Sequence, residues 1–374
     1  MNRRNFIAGT GALCLASSFS SSRLYASSEK KNLVIIMLRG GLDGLAAVPM
    51  IGNGELKKIR KSDWPTDTKK LSSDFALHGE LSSYYDLWKA GQASVVHATS
   101  IPYTGRSHFE GQNVMEIGGT YAFEDKFGWL GRGMEVASAD SLALSLAIPS
   151  LLRNKSNTDN FYPSKWGLPS DGMLAALQSS YAGEPLLENA MTRIRERTEA
   201  SRFIKAASLD ILAGQAAEGL SDPFGPNVAV FEIDEFDTHS QQTHNLNRQL
   251  AVVDELFSRL SKGMGPAFEN TLVLTLTEFG RRVDYNGGGG TDHGYGTSVL
   301  MAGGLLKEAQ VYADWPGLKT KDLYEGRDLM ATTDARSIYC SAMATCFEHD
   351  FDHLRKEAFF GANLENLSDR LFKT

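Results

Sequence analysis

Apolar residues in this chain form short runs that recur, with longer amphipathic or polar segments between them. Residues 33–38 read Leu-Val-Ile-Ile-Met-Leu, a continuous apolar run of the length of one strand. Such a run indicates a strand that is buried on both faces, as in a parallel sheet. We predict further strands at 92–98, 142–148, 227–233, 271–277 and 298–303. We predict helices at 81–90, 107–117, 247–264 and over most of the tail, 333–371.

Strands and helices that alternate over this length predict an α/β fold with a doubly wound, mostly parallel sheet flanked by helices. Two segments interrupt the alternation. Residues 53–75 are polar and rich in lysine, which predicts a surface excursion. Residues 150–222 are charged and helix-forming, which predicts a helical insertion or cap. We therefore predict a single α/β domain at 27–374 that contains this insertion.

The first residues carry the pattern of an export signal. Two adjacent arginines, Arg3 and Arg4, precede a run of small and apolar residues from Ile7 to Phe19. This order is typical of a twin-arginine (Tat) signal peptide, and the run is too short and too rich in small residues to span a bilayer. Cleavage is predicted after Ala26. We therefore expect residues 1–26 to be removed, the Tat translocase to be a partner during export, and the mature protein to be periplasmic or secreted.

The charge of the chain argues against two classes of partner. The formal net charge is −7 at pH 7, from 38 basic and 45 acidic residues. Loss of Arg3, Arg4 and Arg23 with the signal leaves 35 basic residues, so the mature chain carries about −10. Nucleic acids and anionic membranes need a basic face, and no mature segment is apolar enough for a transmembrane helix. We expect neither nucleic-acid binding nor stable membrane insertion.

Polar side chains follow four of the predicted strands, at the points where ligands bind in open α/β sheets. Asp43 follows the first strand, and Arg106, Ser107 and His108 follow the second. The ends of the later strands carry Asp237, His239, Glu278, Arg281, Asp292 and His293. Carboxylates crowded together without a cation repel each other. Because Asp, Glu and His suit divalent ions such as Zn, Mn, Fe, Mg or Ca, the pattern predicts a metal site, in which two ions can clamp an in-line displacement.

Ser107 has two interpretations that both stay open. It precedes a predicted helix, where free backbone N–H groups favour an anion, and a metal-bound serine oxygen there would be activated as a nucleophile. It is also a good N-cap residue, with Glu110 three residues later to complete a capping box. The glycine run 287–290 does not predict nucleotide binding, because the Lys-Ser/Thr pair of a P-loop is absent.

Eight motifs, in order along the chain, resemble the Tat-exported bacterial proteins grouped as domain of unknown function 1501. The motifs are LRGGLDG at 38–44, GRSHF at 105–109, GWLGR at 128–132, FDTH at 236–239, TEFGR at 277–281, GTDHG at 290–294, WPGL at 315–318 and TTDAR at 332–336. They cover essentially the whole mature chain. That family is placed in the alkaline phosphatase superfamily, with sulfatases, phosphodiesterases and phosphomutases. The resemblance implies an alkaline-phosphatase-like α/β fold, while the reaction of the family itself is largely unassigned.

The superfamily pattern implies roles for the residues at the first strand ends. Asp43 resembles its first-strand metal carboxylate, and Ser107 followed by His108 resembles its nucleophile at a helix start. Asp237 and His239 resemble its Asp-x-x-x-His metal pair. The spacing here is Asp-x-His, so His244 stays open as the ligand in place of His239.

The later part of the chain departs further from that pattern. Two places stay open for the Asp-His pair that the superfamily has at a later strand end. Glu278 ends its strand but is followed by Phe279, whereas Asp292 and His293 have the right residue types but follow a loop. The resemblance implies Glu278 as a metal carboxylate and His293 as the late histidine that closes a metal site. Asp292 either binds the ion or orients His293.

Together these roles imply an exported, metal-dependent hydrolase of phosphate mono- or diesters, or of a related oxyanion ester, that acts on a small or polymeric substrate. The implied ligands of two divalent ions are Asp43, Ser107 and Glu278 for one and Asp237, His239 and His293 for the other. Ser107 would attack phosphorus in line. Arg106 or Arg281 would neutralise charge on the equatorial oxygens.

Two other functions stay open. Phe279 and the Asp-x-His spacing motivate a non-catalytic member of the fold that binds or assembles material at the cell surface. A sulfohydrolase is the third function, and it would work without formylglycine, because the Cys/Ser-x-Pro-x-Arg pattern is absent after Ser107.

Overall fold

A mixed sheet lies at the centre of the computed structural model, which describes residues 30–52, 54–61, 67–154, 158–163, 171–181, 183–184 and 207–373. The strands are β1 (Asn32–Leu38), β2 (Thr68–Lys70), β3 (Ala76–His78), β4 (Ala93–Ser100), β5 (Ser141–Leu144), β6 (Thr158–Asn160), β7 (Val228–Ile233), β8 (Thr271–Leu276), β9 (Thr297–Ala302), β10 (Val311–Tyr312) and β11 (Thr333–Asp334). In these ranges nine strands form the main sheet, in the order β10-β4-β9-β8-β1-β7-β5-β6 with β11 beside β4. Strands β2 and β3 form a separate antiparallel pair.

The main sheet is mostly parallel. Strand β1 pairs in parallel with β7 on one side and with β8 on the other, and β5 pairs in parallel with β6 and β7. Strand β9 is the exception, because it runs antiparallel between β4 and β8. The predicted α/β fold with a mostly parallel sheet is therefore confirmed, with one reversed strand that the sequence pattern did not predict.

Strand β1 shows why an unbroken apolar run forms a central strand here. Its residues 33–38 are all fully buried, because neighbouring strands pair with both edges and both faces are covered. Burial of each such side chain stabilises the fold by about 1.5–3 kcal/mol relative to exposure. The alternating Thr and Leu residues of β8 are buried in the same way.

The helices are α1 (Gly44–Ala47), α2 (Glu55–Arg60), α3 (Ser82–Lys89), α4 (His108–Ile117), α5 (Trp129–Ala137), α6 (Asp171–Ser180), α7 (Leu209–Ser221), α8 (Gln242–Met264), α9 (Ala335–Phe347), α10 (Phe351–Ala358) and α11 (Ser368–Leu371). The chain divides into two compact units. The larger unit takes the described residues up to Asn160 and from Ala213 onward, and it contains the whole main sheet. The smaller unit includes Phe161–Leu212, where α6 is described.

The topology brings four connecting segments to one edge of the sheet, and the one after β8 is also the one that leads into β9. Strands β1, β4, β7 and β8 run in the same direction, so the loops that follow them leave at that edge. Strand β9 runs the opposite way, so the segment before it enters there as well. All of the sequence-predicted site residues lie on these four segments.

Two predicted elements differ from the structure. The predicted surface excursion at 53–75 contains α2, and the side chain of Arg60 at the end of this helix is buried. The long helix α8 begins at Gln242, five residues before its predicted start. Both differences arise because polar side chains are buried against other polar groups, which an apolar pattern does not reveal.

Two predictions concern residues that lie wholly or partly outside the described part of the chain. The signal peptide at 1–26 lies wholly outside it. The helical insertion at 150–222 is described only in part, so it stays a prediction. No helix in the described residues combines the length and the apolar character that crossing a membrane requires.

Candidate metal centre

The carboxylate of Asp237 is the meeting point of three histidines from different segments. On its Oδ1 side, Nε2 of His239 and Nε2 of His293 each lie 3.1 Å away. These two nitrogen atoms are 2.9 Å from each other. On its Oδ2 side, Nε2 of His108 lies 3.3 Å away. The loop after β7, the start of α4 and the segment before β9 thus place these side chains together at one edge of the sheet.

The other ring nitrogen of each histidine faces a group that can only accept a hydrogen bond. Nδ1 of His108 lies 2.9 Å from Oε1 of Glu278. Nδ1 of His239 lies 3.2 Å from Oδ1 of Asp292. Nδ1 of His293 lies 2.8 Å from the carbonyl oxygen of Arg106. Each Nδ1 therefore carries the proton, and in the neutral imidazole each Nε2 presents a bare lone pair.

Lone pairs that converge on a carboxylate repel each other unless a cation or a proton lies between them. The triangle of Asp237 Oδ1, His239 Nε2 and His293 Nε2 has edges of 2.9–3.1 Å, which suits ligand atoms about 2.1 Å from one shared ion. Nε2 of His108 is buried, and apart from its ion-pair distance of 3.3 Å to Asp237 it meets no hydrogen-bond partner among the described residues. Histidines that bind metals hold their other nitrogen on a carboxylate or carbonyl in this way. The residues present therefore fit a divalent metal ion.

The candidate ligand group overlaps with one of the two predicted sets. Among the described residues, His108, Asp237 and His293 form a group that can hold a metal ion, with ligand atoms within 4.8 Å of one another. His239 adds a fourth ligand atom beside it. The structure thus brings Asp237, His239 and His293 together as predicted, and it adds His108, which we had expected to act with Ser107. His244 is exposed on α8 and is not a member of the group.

Electrostatics keep the central carboxylate ionised. Partial burial raises the pKa of Asp237, but the imidazoles of His108 and His293 and the guanidinium of Arg281 outweigh burial and hold that pKa well below its ordinary value. The carboxylates of Asp237 and Glu278 in turn raise the pKa of His108 to about 9. A cation at this position is therefore favoured, whether it is a proton or a metal ion.

Glu278 and Asp43 were predicted to be ligands of the other ion, and both carboxylates are occupied by protein donors. Oε1 of the buried Glu278 accepts from the backbone N–H of Gly40 at 2.8 Å and from Gln112 at 3.2 Å, in addition to His108. This carboxylate orients His108. Asp43 binds the buried Arg60 through both oxygens, at 2.5 and 3.1 Å. It also accepts from the backbone N–H of Ala46, so it caps α1.

Ser107 stands at the N-cap position of α4, but its side chain makes no capping hydrogen bond. The capping box expected with Glu110 does not form, because the carboxylate of Glu110 accepts from the hydroxyl of Tyr103 at 2.9 Å. The backbone N–H of Ser107 donates to the same hydroxyl at 3.0 Å. The interpretation of Ser107 as a purely structural cap therefore loses its main support.

The two arginines predicted to neutralise the substrate are engaged elsewhere. The guanidinium of Arg106 pairs with Glu325 at 2.5 Å and with Asp328 at 3.0 Å. The guanidinium of Arg281 is buried and donates to Asp237 at 2.8 Å and to the hydroxyl and carbonyl oxygens of Thr291. Arg281 therefore positions the central carboxylate, and the carbonyl oxygen of Arg106 orients His293.

Asp292 has the orienting role that was one of its two predicted roles, but toward a different histidine. Its Oδ1 binds Nδ1 of His239, and Asn286 donates to the same oxygen at 3.0 Å. Asn286 also donates to the carbonyl oxygen of His239 at 2.9 Å. Asn286, Gln112 and Arg60 are supporting residues that the sequence reasoning missed. No spacing signal marks them, because each meets its partner through the tertiary fold.

Solved structures resemble this chain at low identity. Ps i-CgsB in complex with a neocarrahexaose has a TM-score of 0.46 and 11% identity, covering 91% of this chain and 76% of that chain. Murine ectonucleotide pyrophosphatase/phosphodiesterase 5, an inactive form in complex with AMP, has a TM-score of 0.44 and 10% identity, covering 92% and 100%. Phosphonate monoester hydrolase of Agrobacterium radiobacter has a TM-score of 0.37 and 10% identity, covering 78% and 74%. Similarity at this level leaves the reaction open.

A family comparison identifies the part of the chain that carries most of the centre. No curated protein matches the sequence. The family model described as protein of unknown function (DUF1501) matches residues 220–349. Five of the eight motifs lie inside this range, and so do Asp237, His239 and His293. The chain is therefore similar to the DUF1501 family over residues 220–349.

Proposed function

We propose that the protein is a metal-dependent hydrolase of phosphate mono- or diesters, or of a related oxyanion ester. The observation that carries the proposal is the convergence of three imidazole Nε2 atoms, each with its Nδ1 held by an acceptor, on the carboxylate of Asp237. Substrate can reach this group, because the side chains of Asp237 and His239 are 42% and 44% exposed. A purely structural metal site is usually closed.

In this proposal Asp237, His239 and His293 hold a divalent ion, and His108 offers a further nitrogen. A bound ion supplies Lewis-acid stabilisation of the negative charge on a phosphoryl oxygen. The remaining groups hold these ligands in place. Glu278 and Asp292 keep the Nδ1 protons on His108 and His239, and Arg281 fixes the carboxylate of Asp237.

Ser107 is the proposed nucleophile. It directly precedes His108, it stands at the N-cap position of the ten-residue helix α4, and its side chain makes no capping hydrogen bond. The backbone N–H groups in the first turn of α4 lack intrahelical partners and favour a negative charge. Ser107 Oγ would form the bond to phosphorus while the bond from phosphorus to the ester oxygen breaks, and the proton of Ser107 would pass to the departing alkoxide. Water would then hydrolyse the phosphoserine and restore the hydroxyl of Ser107. The first turn of α4 would then stabilise the charge on the phosphoryl group.

Metal content and ester hydrolysis, measured on the same preparation, test the proposal. We expect about one divalent ion per chain by elemental analysis, and turnover of nitrophenyl phosphate mono- or diesters with at least one of Zn, Mn, Fe, Mg and Ca. The Ser107→Ala variant should keep its metal and lose turnover. Absence of both metal and turnover under all of these ions contradicts the proposed function. Full turnover by Ser107→Ala contradicts only the assignment of the nucleophile.

A non-catalytic binding protein at the cell surface is the second candidate function. The observation that favours it is that Asp43 and Glu278, two of the predicted ligands of the other ion, are buried and hydrogen-bonded to protein donors. This alternative predicts that the protein binds one ion tightly and hydrolyses neither phosphate nor sulfate esters. A matched assay on nitrophenyl sulfate separates it from a sulfohydrolase.

Export by the Tat route is part of the proposal and rests on the arginine pair at the start of the chain. Tat cargo crosses the membrane folded, so the metal could be bound before export. A variant with Arg3→Lys and Arg4→Lys should accumulate as folded protein inside the cell. Normal export of this variant would rule out the Tat route.

A further inference from the structure

Gln242, the first residue of α8, is fully buried and uses every polar atom of its side chain. Its Nε2 donates to Oδ2 of Asp43 at 2.5 Å. Its Oε1 accepts from the hydroxyls of Thr238 at 3.0 Å and Thr291 at 2.6 Å. The carboxylate of Asp43 can only accept and the two hydroxyls donate, so the orientation of the amide group is fixed.

The three partners of Gln242 lie on three of the segments that meet at the sheet edge. Asp43 lies in the loop after β1. Thr238 lies between Asp237 and His239, and Thr291 directly precedes Asp292 and His293. A second direct link joins the last two segments, because the backbone N–H of Thr291 donates to the carbonyl oxygen of Thr238 at 3.1 Å. Gln242 therefore bridges the two segments that carry the candidate ligands.

A continuous set of hydrogen bonds extends from Gln242 to the centre. The hydroxyl of Thr291 that donates to Gln242 also accepts from Nε of Arg281 at 3.1 Å. Arg281 in turn donates to Oδ1 of Asp237 at 2.8 Å. At the other end, the pair of Asp43 and Arg60 anchors the amide nitrogen of Gln242. Every group in this buried network has a partner, which is the condition under which such networks define one geometry.

We propose that Gln242 is a positioning residue that fixes the separation of His239 and His293 and thereby sets the affinity of the centre for its metal ion. The side-chain hydrogen bonds of Gln242 in the described structure go to Asp43, Thr238 and Thr291 rather than to the candidate ligands. Its effect passes through Thr238, which lies between two of them, and through Thr291 and Arg281. This inference rests on the proposed metal centre for its consequence and on the hydrogen bonds above for its structural basis.

The first test is Gln242→Met, which keeps the length of the side chain and removes its hydrogen bonds. We expect zinc affinity, measured by competition with a chromogenic chelator, to fall by about 10–100-fold, as for other outer-shell changes. The absorption spectrum of the cobalt-substituted protein should change as well, since the ligands move. The matched control is Gln249→Met, two turns along α8, which removes a buried glutamine that donates to Glu235. A folded Gln242→Met protein with the zinc affinity and cobalt spectrum of the wild type overturns the proposal.

A second pair of variants applies if Gln242→Met does not fold. Thr291→Ser keeps the hydroxyl that joins Gln242 to Arg281, and Thr291→Val removes it at nearly constant volume. We expect the serine variant to bind zinc like the wild type and the valine variant to bind more weakly. Equal zinc affinity of the two variants also overturns the proposal.

Amide exchange in the metal-free protein separates this inference from the proposed function. The backbone N–H of Thr291 should exchange with solvent about tenfold faster in Gln242→Met than in the wild type, because the two segments open locally. If the wild type binds no metal but this acceleration is seen, the metal function fails and the positioning role of Gln242 stands. If exchange is unchanged, the positioning role fails whatever the metal content.

Discussion

Nε2 of His239 lies 2.9 Å from Nε2 of His293, although 54 residues separate the two histidines in the chain. The Nδ1 atom of His239 is hydrogen-bonded to Asp292, and the Nδ1 atom of His293 is hydrogen-bonded to the carbonyl oxygen of Arg106. Two neutral imidazoles do not approach in this way without a shared proton or cation. This pair is therefore the feature on which the predictions about metal binding depend.

Removal of His293 should abolish metal binding. The His293→Ala variant loses one ligand and leaves Asp237 and His239 without their neighbour, so we expect the bound metal to fall from about one ion per chain to a trace by elemental analysis. The control is His244→Ala, which removes an exposed histidine of α8. Metal retained by the first variant, or lost equally by the control, would contradict the assignment of the ligands.

The stability of the metal-free protein should depend on pH through His108. Its pKa is raised to about 9 by Asp237 and Glu278, above the value of about 6.5 in an unfolded chain. The stabilisation is therefore fully present below about pH 6.5 and is lost as the pH rises through about 9. We expect the free energy of unfolding, measured with urea and excess chelator, to fall across this window.

The His108→Gln variant tests the origin of that pH dependence. Glutamine cannot titrate, so the slope between about pH 6.5 and 9 should flatten in this variant. Buried His97 serves as a reference histidine, because burial lowers its pKa to about 4 and it stays neutral throughout the window. If the free energy of unfolding of His108→Gln falls with pH as steeply as that of the wild type, the pH dependence arises from another group.

Asp43 and Arg60 should behave as a structural ion pair. Both side chains are buried, so Arg60→Met leaves a buried carboxylate without its cation and should lower the free energy of unfolding by about 3–5 kcal/mol. The double variant Asp43→Leu with Arg60→Met should be less destabilised than Arg60→Met, because neither charge then remains. Loss of metal from Asp43→Asn with no loss of stability would instead support its predicted role as a ligand.

Gly290 should be required for the centre, whereas Gly287 in the same glycine run should not. A Cβ atom on Gly290 would lie 2.3 Å from the carbonyl oxygen of Thr238 and 2.4 Å from the carbonyl carbon of His239. The Gly290→Ala variant must therefore displace the segment that carries His239, and we expect weaker zinc binding. A Cβ atom on Gly287 would meet no atom within 4 Å, so Gly287→Ala should bind zinc normally. Equal zinc affinities would show that the loop adjusts without effect on the centre.

Much of the sheet could be predicted from the sequence, because its strands are apolar runs that end in polar turns. The antiparallel direction of β9 could not. A run of six buried residues has the same composition whichever way it runs, and only its partners β4 and β8 set the direction. That direction matters to the centre, since it brings Asp292 and His293 to the edge where the other segments end.

The candidate site, like the sheet, could be predicted from the sequence only in part. Asp237 and His239 follow a strand of parallel direction, and this position alone indicates their place. The roles of Asp43 and Glu278 were not evident, because a carboxylate at a strand end is equally suited to a metal ion and to a buried partner. Arg60, whose buried ion pair with Asp43 indicates a structural role for that carboxylate, lies in the lysine-rich segment that we predicted to be a surface excursion. Its burial follows from contacts with Val283 and Arg282, more than 200 residues away.

The reversed direction of β9 also determines the stage of synthesis and folding at which the candidate centre can form. His293 is placed at the sheet edge only after β9 has inserted between β4 and β8, and these three strands span most of the chain. Until residue 302 has been synthesised, β9 is incomplete. The group of candidate ligands therefore cannot form, even if the earlier segments of the chain have folded. Binding of a metal ion at this candidate centre would therefore require that β9 has already paired with β4 and β8 in the middle of the sheet.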